Sequence, residues 1–292
     1  MKTLKRIFWF VLTNFMVMMT ISLLANFFGV TNYLTQKGIN YSQLFALSLL
    51  VGFTGSFISL FLSKYMAKLF LGVKSVNENS AYMSLVSKVQ NIASTAGFAQ
   101  CPEVGVYDSA EVNAFATGFS EKHSLVAFST GLLNKMNDKE LEGVIAHEIS
   151  HIKNGDMVTM TLLQGVINTF SFFLSRVIAY LIVSRDKNQN NRNSFRLVTF
   201  LVEIALSFLG MIVLCYFSRK REYSADHDAG ILVGNDKMIA ALEKLKSLFE
   251  FNQHNESSKN VSVQAMKISG SKIFKLFSTH PPLQERIEAL RM

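Results

Sequence analysis

Four stretches of the chain are long and apolar enough to cross a lipid bilayer, and that restricts the fold more than any other feature. No charged side chain lies between Arg6 and Lys37, and none between Lys37 and Lys64. Met157 to Val183 is interrupted only by Arg176, and Leu197 to Phe217 only by Glu203. A spanning helix needs roughly 20 apolar residues, and in hydrocarbon it must satisfy all its backbone polar groups internally. Spans are therefore expected at about 7–30, 41–63, 157–183 and 197–217. The first is not a typical cleaved signal peptide: its apolar run is too long, and no small-residue cleavage site precedes the second run. With 49% hydrophobic and only 17% charged residues, the composition is too apolar for an ordinary soluble protein.

The net charge of +8 would suggest nucleic acid in a soluble protein. Here the basic residues flank the apolar runs, so the partner they indicate is the lipid bilayer, and no nucleic acid is expected. Lys2, Lys5 and Arg6 precede the first span, and Lys64, Lys68 and Lys74 follow the second. Only Lys37 lies between. By the positive-inside rule both outer ends of this hairpin are cytoplasmic. The loop between the last two spans carries Arg185, Lys187, Arg192 and Arg196 against one acid, Asp186. That is too basic for an outer loop. Cys101 and Cys215 are far apart and lack a partner motif, which fits a reducing compartment.

The polar remainder falls at about 70–156 and 218–292. In the first part, "EVGVYDS", "VNAFATGF" and "SLVAFST" read as strands of a small sheet. "NDKELEGVIAHEISHIKNGD" reads as a helix that Asn137 or Asp138 can cap and Asn154-Gly155 can end. In the second, "RKREYSADHDAGILVG" reads as a helix closed by glycine, and "EFNQHNESSKN" as a mobile loop. "THPPLQERIEAL" places prolines where a short helix starts. No internal repeat is present.

His147 and His151 are four apart on the predicted helix. That spacing puts both imidazoles on one face, one turn apart, where they can hold a single ion. Imidazole with carboxylate suits zinc. Glu148 stands beside the metal position rather than on it, where a general base for water belongs. The surrounding Val144, Ile145, Ile149 and Ile152 are apolar, so these polar groups need partners. A catalytic zinc site takes three protein ligands. Glu222 is the best third ligand, with His227, His280 and Cys101 as rivals. Asp226, four residues later on the same face, can fix the tautomer of a ligating histidine.

"HEISH" with "SRKREYSAD" resembles the HExxH plus ExxxD pattern of the gluzincin metallopeptidases. "NAFATG", "LVAFSTGLL" and "STHPPLQERIEAL", together with four spans, extend the resemblance over nearly the whole chain. They point to the HtpX family of bacterial membrane proteases, which are related to the CAAX prenyl endopeptidases of eukaryotes. The resemblance implies one zinc ion per subunit at His147, His151 and Glu222, with Glu148 as catalytic base. It implies an active site on the cytoplasmic side of the bacterial inner membrane and cleavage of damaged or misassembled membrane proteins under stress. By the same analogy, Asn113 and its strand would bind an extended substrate, and His280 would steady the oxyanion.

The expected fold is thus a mainly α integral membrane protein: four transmembrane helices plus a cytoplasmic α+β gluzincin-type domain with a small sheet. The divisions are 1–69 and 157–217 for the two membrane hairpins, and 70–156 and 218–292 for the two halves of the peptidase domain. His147 and His151 precede the third span and Glu222 follows the fourth. Zinc–ligand bonds of about 2 Å require an even number of crossings between them. Arg176 and Glu203 fall at similar depth in the last two spans and are expected to pair. Two other classes fit the sequence less well. A quality-control adaptor with a structural zinc would not need Glu148. A metal transporter would need more than one intramembrane polar pair.

Overall fold

The computed structural model describes residues 40–77, 81–183, 191–257 and 278–292. The predicted span at 7–30 and the basic-loop residues 184–190 lie outside the described residues. The chain divides into two compact units, one from residues 1–59 and 160–215, the other from 60–159 and 216–292.

Among the described residues, three helices are long and apolar enough to cross a membrane. They are α1 (Tyr41–Leu71), α5 (Asp156–Val183) and α6 (Asn191–Val233). Within the first unit they turn large apolar side chains outward, among them Leu50, Ile58, Phe170, Leu201 and Leu209. Facing water, such a surface would be costly; facing acyl chains, it is satisfied. Their contacts with one another use small and hydroxyl residues. A Cβ on Gly52 of α1 would fall 2.4 Å from Thr169 Oγ1 and 2.6 Å from Thr169 N on α5, so only glycine lets these two helices approach so closely. The hydroxyls of Ser48, Ser56 and Thr169 donate to carbonyls one turn back, which removes unpaired donors from an apolar setting. Arg176 Nη1 lies 3.6 Å from Glu203 Oε2 and donates to the Phe172 carbonyl at 2.9 Å. The expected pair between these two helices is therefore present.

The second unit is α+β. Its four described strands are β1 (Lys74–Val76), β2 (Glu103–Tyr107), β3 (Ala114–Thr117) and β4 (Leu125–Ser129), in the order β1-β2-β4-β3. β2 and β4 run parallel, and the two outer strands pair antiparallel, with Ala114 opposite Phe128. The central β4 is buried along its whole length, as its apolar "LVAFS" requires. Helices α2 (Met83–Thr95), α4 (Asp138–Lys153), α7 (Asn235–Ser257) and α8 (Leu283–Arg291) accompany the sheet, and a short α3 (Thr130–Lys135) follows β4. Val89, Val126, Phe128, Ile145, Ile149, Leu242 and Ile287 belong to one core.

The expected strands and the histidine helix appear where the patterns put them. Three elements run differently. The apolar stretch 197–217 and "RKREYSADHDAGILV" are one helix, α6, because no Gly or Pro interrupts the backbone where the side chains change from apolar to charged. "EFNQHNES", expected in a loop, continues α7 to Ser257. Polarity alone does not stop a helix. β1 has only three residues, too few to carry an alternating pattern.

Candidate metal centre

The first turn of α4 fixes where the histidine helix begins. Glu140 N donates to Asn137 Oδ1 at 3.0 Å, and Asn137 N donates to the Glu140 carboxylate at 2.9 Å. This capping box satisfies two otherwise unpaired donors, and Asp138 and Glu140 favour the positive end of the helix. Every residue from Gly143 to His151 is buried. Ile145 and Ile149 fill the core, so the helix is held in rotation and its two histidines are aimed by packing.

His147 Nε2 and His151 Nε2 are 3.1 Å apart. Glu222, from α6, brings Oε2 to 3.5 Å from His147 Nε2 and Oε1 to 3.5 Å from His151 Nε2. Bonds of about 2.0–2.2 Å in a tetrahedron put ligand atoms about 3.3–3.6 Å apart. The two 3.5 Å approaches, one to each Glu222 oxygen, fall within that spacing and the 3.1 Å edge is slightly short of it, so one ion can reach both imidazoles and the carboxylate. Among the described residues, this is the group of His, Cys, Asp and Glu side chains whose ligand atoms converge, all within 4.8 Å. Glu222 Oε2 is also buried without an aligned hydrogen bond, which leaves it a lone pair for a cation. Of the rivals for the third position, His227 and Cys101 are exposed, and His280 approaches Glu222 without joining that converging group.

Behind the triangle stands a second layer of charge. His151 Nδ1 is 2.6 Å from Asp156 Oδ2. His147 Nδ1 is 3.0 Å from Asp226 Oδ1, an oblique contact rather than an aligned hydrogen bond. Arg286, from α8, donates to both oxygens of Asp226 at 2.6 Å and lies 3.1 Å from Glu222 Oε2. Glu148 is buried next to His147. His280 is exposed and puts Nδ1 2.8 Å from Glu222 Oε2. Asn113 is exposed just before β3, with its N–H donating to Ser129 Oγ at 3.1 Å.

These neighbours set the protonation of the site. Burial would lower the His151 imidazole, but Asp156 and Glu222 raise it to about 9. His147 is likewise raised against burial, by Asp226 and Glu222. Burial would raise the Glu222 carboxyl, yet the three histidines hold it far below the usual carboxylate range. Asp226 is lowered against burial, chiefly by Arg286. Asp156, Glu222 and Asp226 are thus arranged around basic groups.

Arg286 and Asp156 were not anticipated from the sequence. Both left a signal. In "LQERIEAL", Leu283, Arg286, Ile287 and Leu290 share one helical stripe, so the arginine stands where an apolar residue is expected. In "HIKNGD", the glycine turn redirects the chain just before an acid. Gly155 has φ +64°, and it closes α4 so that Asp156 can face back.

Comparison with known proteins accords with this geometry. Peptidase family M48 matches residues 79–292. The chain is 46% identical over 294 residues to a protease HtpX homolog of Methylacidiphilum infernorum, covering 98% of each chain. It is 46% identical over 297 residues to the protease HtpX homolog of Bacillus subtilis, again covering 98% of each. In fold it is similar to the crystal structure of S. mikatae Ste24p, with a TM-score of 0.62 at 19% identity, covering 97% of this chain and 67% of that one.

Proposed function

The chain belongs to peptidase family M48 and is a membrane metallopeptidase; on that premise we propose that it is a zinc-dependent endopeptidase that hydrolyses misfolded or damaged membrane proteins at the cytoplasmic face of a bacterial inner membrane. The observation that carries this reading is the triangle of His147 Nε2, His151 Nε2 and one Glu222 carboxylate, with Glu148 buried beside it. Two imidazoles and a carboxylate are the donor set that suits zinc, and three protein ligands are the number used at catalytic zinc sites.

His147, His151 and Glu222 would hold the ion. Zinc bound there supplies Lewis acidity toward the scissile carbonyl. Glu148 takes a proton from the attacking water and delivers it to the leaving amine. Asp226 stands behind His147 and keeps its Nε2 turned to the ligand triangle. His280, exposed beside Glu222, donates to the developing oxyanion. Asn113 leads into β3, one of the two edge strands of the described sheet, where an extended substrate backbone can add as a further strand.

The topology that goes with this function has four spans, the first at 7–30, and two cytoplasmic peptidase halves at 70–156 and 218–292. The charges that support it are Lys2, Lys5 and Arg6 before the first hairpin and Lys64, Lys68 and Lys74 after it. The test is proteolysis of an unfolded protein such as casein by the detergent-solubilised chain, with and without a chelator, beside Glu148→Gln. Chelation should abolish cleavage and zinc should restore it. Glu148→Gln should keep its zinc and lose cleavage. Turnover by zinc-loaded Glu148→Gln at the wild-type rate would exclude Glu148 as the base.

A further inference from the structure

His151 presents Nε2 to the ligand triangle and Nδ1 to Asp156 Oδ2, 2.6 Å away. Asp156 is buried, and the same oxygen lies 3.7 Å from Arg221 Nη1. Had α4 continued, position 156 would sit about 140° around the helix from position 151, at about 100° per residue. The reversal at Asn154-Gly155 removes that obstacle and starts α5 at Asp156 itself. The contact therefore depends on a turn placed between the two residues. Asp226 lies behind the other imidazole, His147, in a looser, oblique contact at 3.0 Å, with Arg286 behind it.

We propose that Asp156 is a positioning residue for the metal centre. It accepts the Nδ1 proton of His151 and so fixes the tautomer that leaves Nε2 with a lone pair toward the ion. Arg221 holds the carboxylate in place. The inference rests on the reading that His147, His151 and Glu222 bind a metal. A simpler role for Asp156, an acid favouring the first turn of α5, would affect helix stability and leave metal binding unchanged.

The two roles separate by metal affinity. The full chain, purified in detergent and stripped of metal, is titrated with zinc against a competing chelator and with cobalt followed by its visible spectrum. Asp156→Ala should bind zinc 10- to 100-fold more weakly, as carboxylates behind ligating histidines typically do, and should shift the cobalt bands. Asp156→Asn keeps the shape and one acceptor, and should lose less in the same direction. Should Asp156→Ala not fold, Asp156→Asn decides. Wild-type zinc affinity and a wild-type cobalt spectrum in the folded variant overturn the proposal, whatever happens to its melting temperature. Failure of the wild-type chain to bind either ion overturns the metal reading itself, and the proposal with it.

Discussion

Arg286 forks onto Asp226: Nε donates to Oδ2 and Nη2 to Oδ1, each at 2.6 Å. Both side chains are buried, so neither can turn to water if its partner is removed. Arg286→Leu should therefore lower stability by about 3–5 kcal/mol, the cost of a buried charge left without its partner. Denaturant unfolding in detergent measures this. Arg286→Leu combined with Asp226→Leu should be less destabilised than the two single losses added together. Additive losses would mean that the fork contributes nothing.

Glu222 and Asp226 should differ in kind. Glu222→Ala removes an oxygen from the ligand triangle and should reduce zinc binding as severely as His147→Ala does. Asp226→Ala should weaken it only 10- to 100-fold, because the ligand stays and only its orientation loosens. Metal analysis after dialysis against a graded chelator series distinguishes the two. Zinc retained at wild-type affinity in Glu222→Ala would remove it as a ligand.

The pair Arg176–Glu203 should show coupling. At 3.6 Å between a buried arginine and a half-buried glutamate on two apolar helices, each charge offsets part of the insertion cost of the other. Arg176→Leu and Glu203→Leu should each destabilise, and the double variant should be more stable than the less stable single one. Thermal unfolding of the four proteins completes the cycle.

Glu103 provides a pH signature outside the metal centre. Burial would raise its carboxyl, but Lys64, Lys68 and Ser75 hold it down from 4.5 to about 2. Lys64 and Lys68 reach it at 2.7 and 2.5 Å. Because the folded value is depressed, the contribution is fully present above pH 4.5 and is lost as pH falls toward about 2. Wild type should thus be more stable than Glu103→Gln at pH 7, with the difference shrinking below pH 4.5. A difference independent of pH would rule out the ion cluster as its source.

Much of the site was legible because its chemistry is periodic. His147 and His151 announce a shared helical face by spacing alone, and Asn137 and Glu140 announce where that face begins. Glu222 could be nominated but not fixed, since its place beside the histidines depends on how α4 and α6 meet in three dimensions. Asp156 and Arg286 were hidden for a related reason. Each looks like an ordinary terminal or surface charge until the turn at Gly155 or the burial of α8 is known. Helix ends were misplaced where polarity changed without a breaker, as at Phe217 and Phe251.

The acids and arginines around the histidines have a consequence in net charge. Ionised, Glu148, Asp156, Glu222 and Asp226 carry four negative charges, against two positive charges on Arg221 and Arg286. The deficit of two equals the charge of one divalent ion. Without an ion, a proton shared between His147 Nε2 and His151 Nε2, 3.1 Å apart, offsets only part of that deficit. Loading the centre with a divalent ion displaces that proton and supplies the missing positive charge. Apparent affinity should therefore rise with pH, as acid returns a proton to the imidazoles and releases the ion.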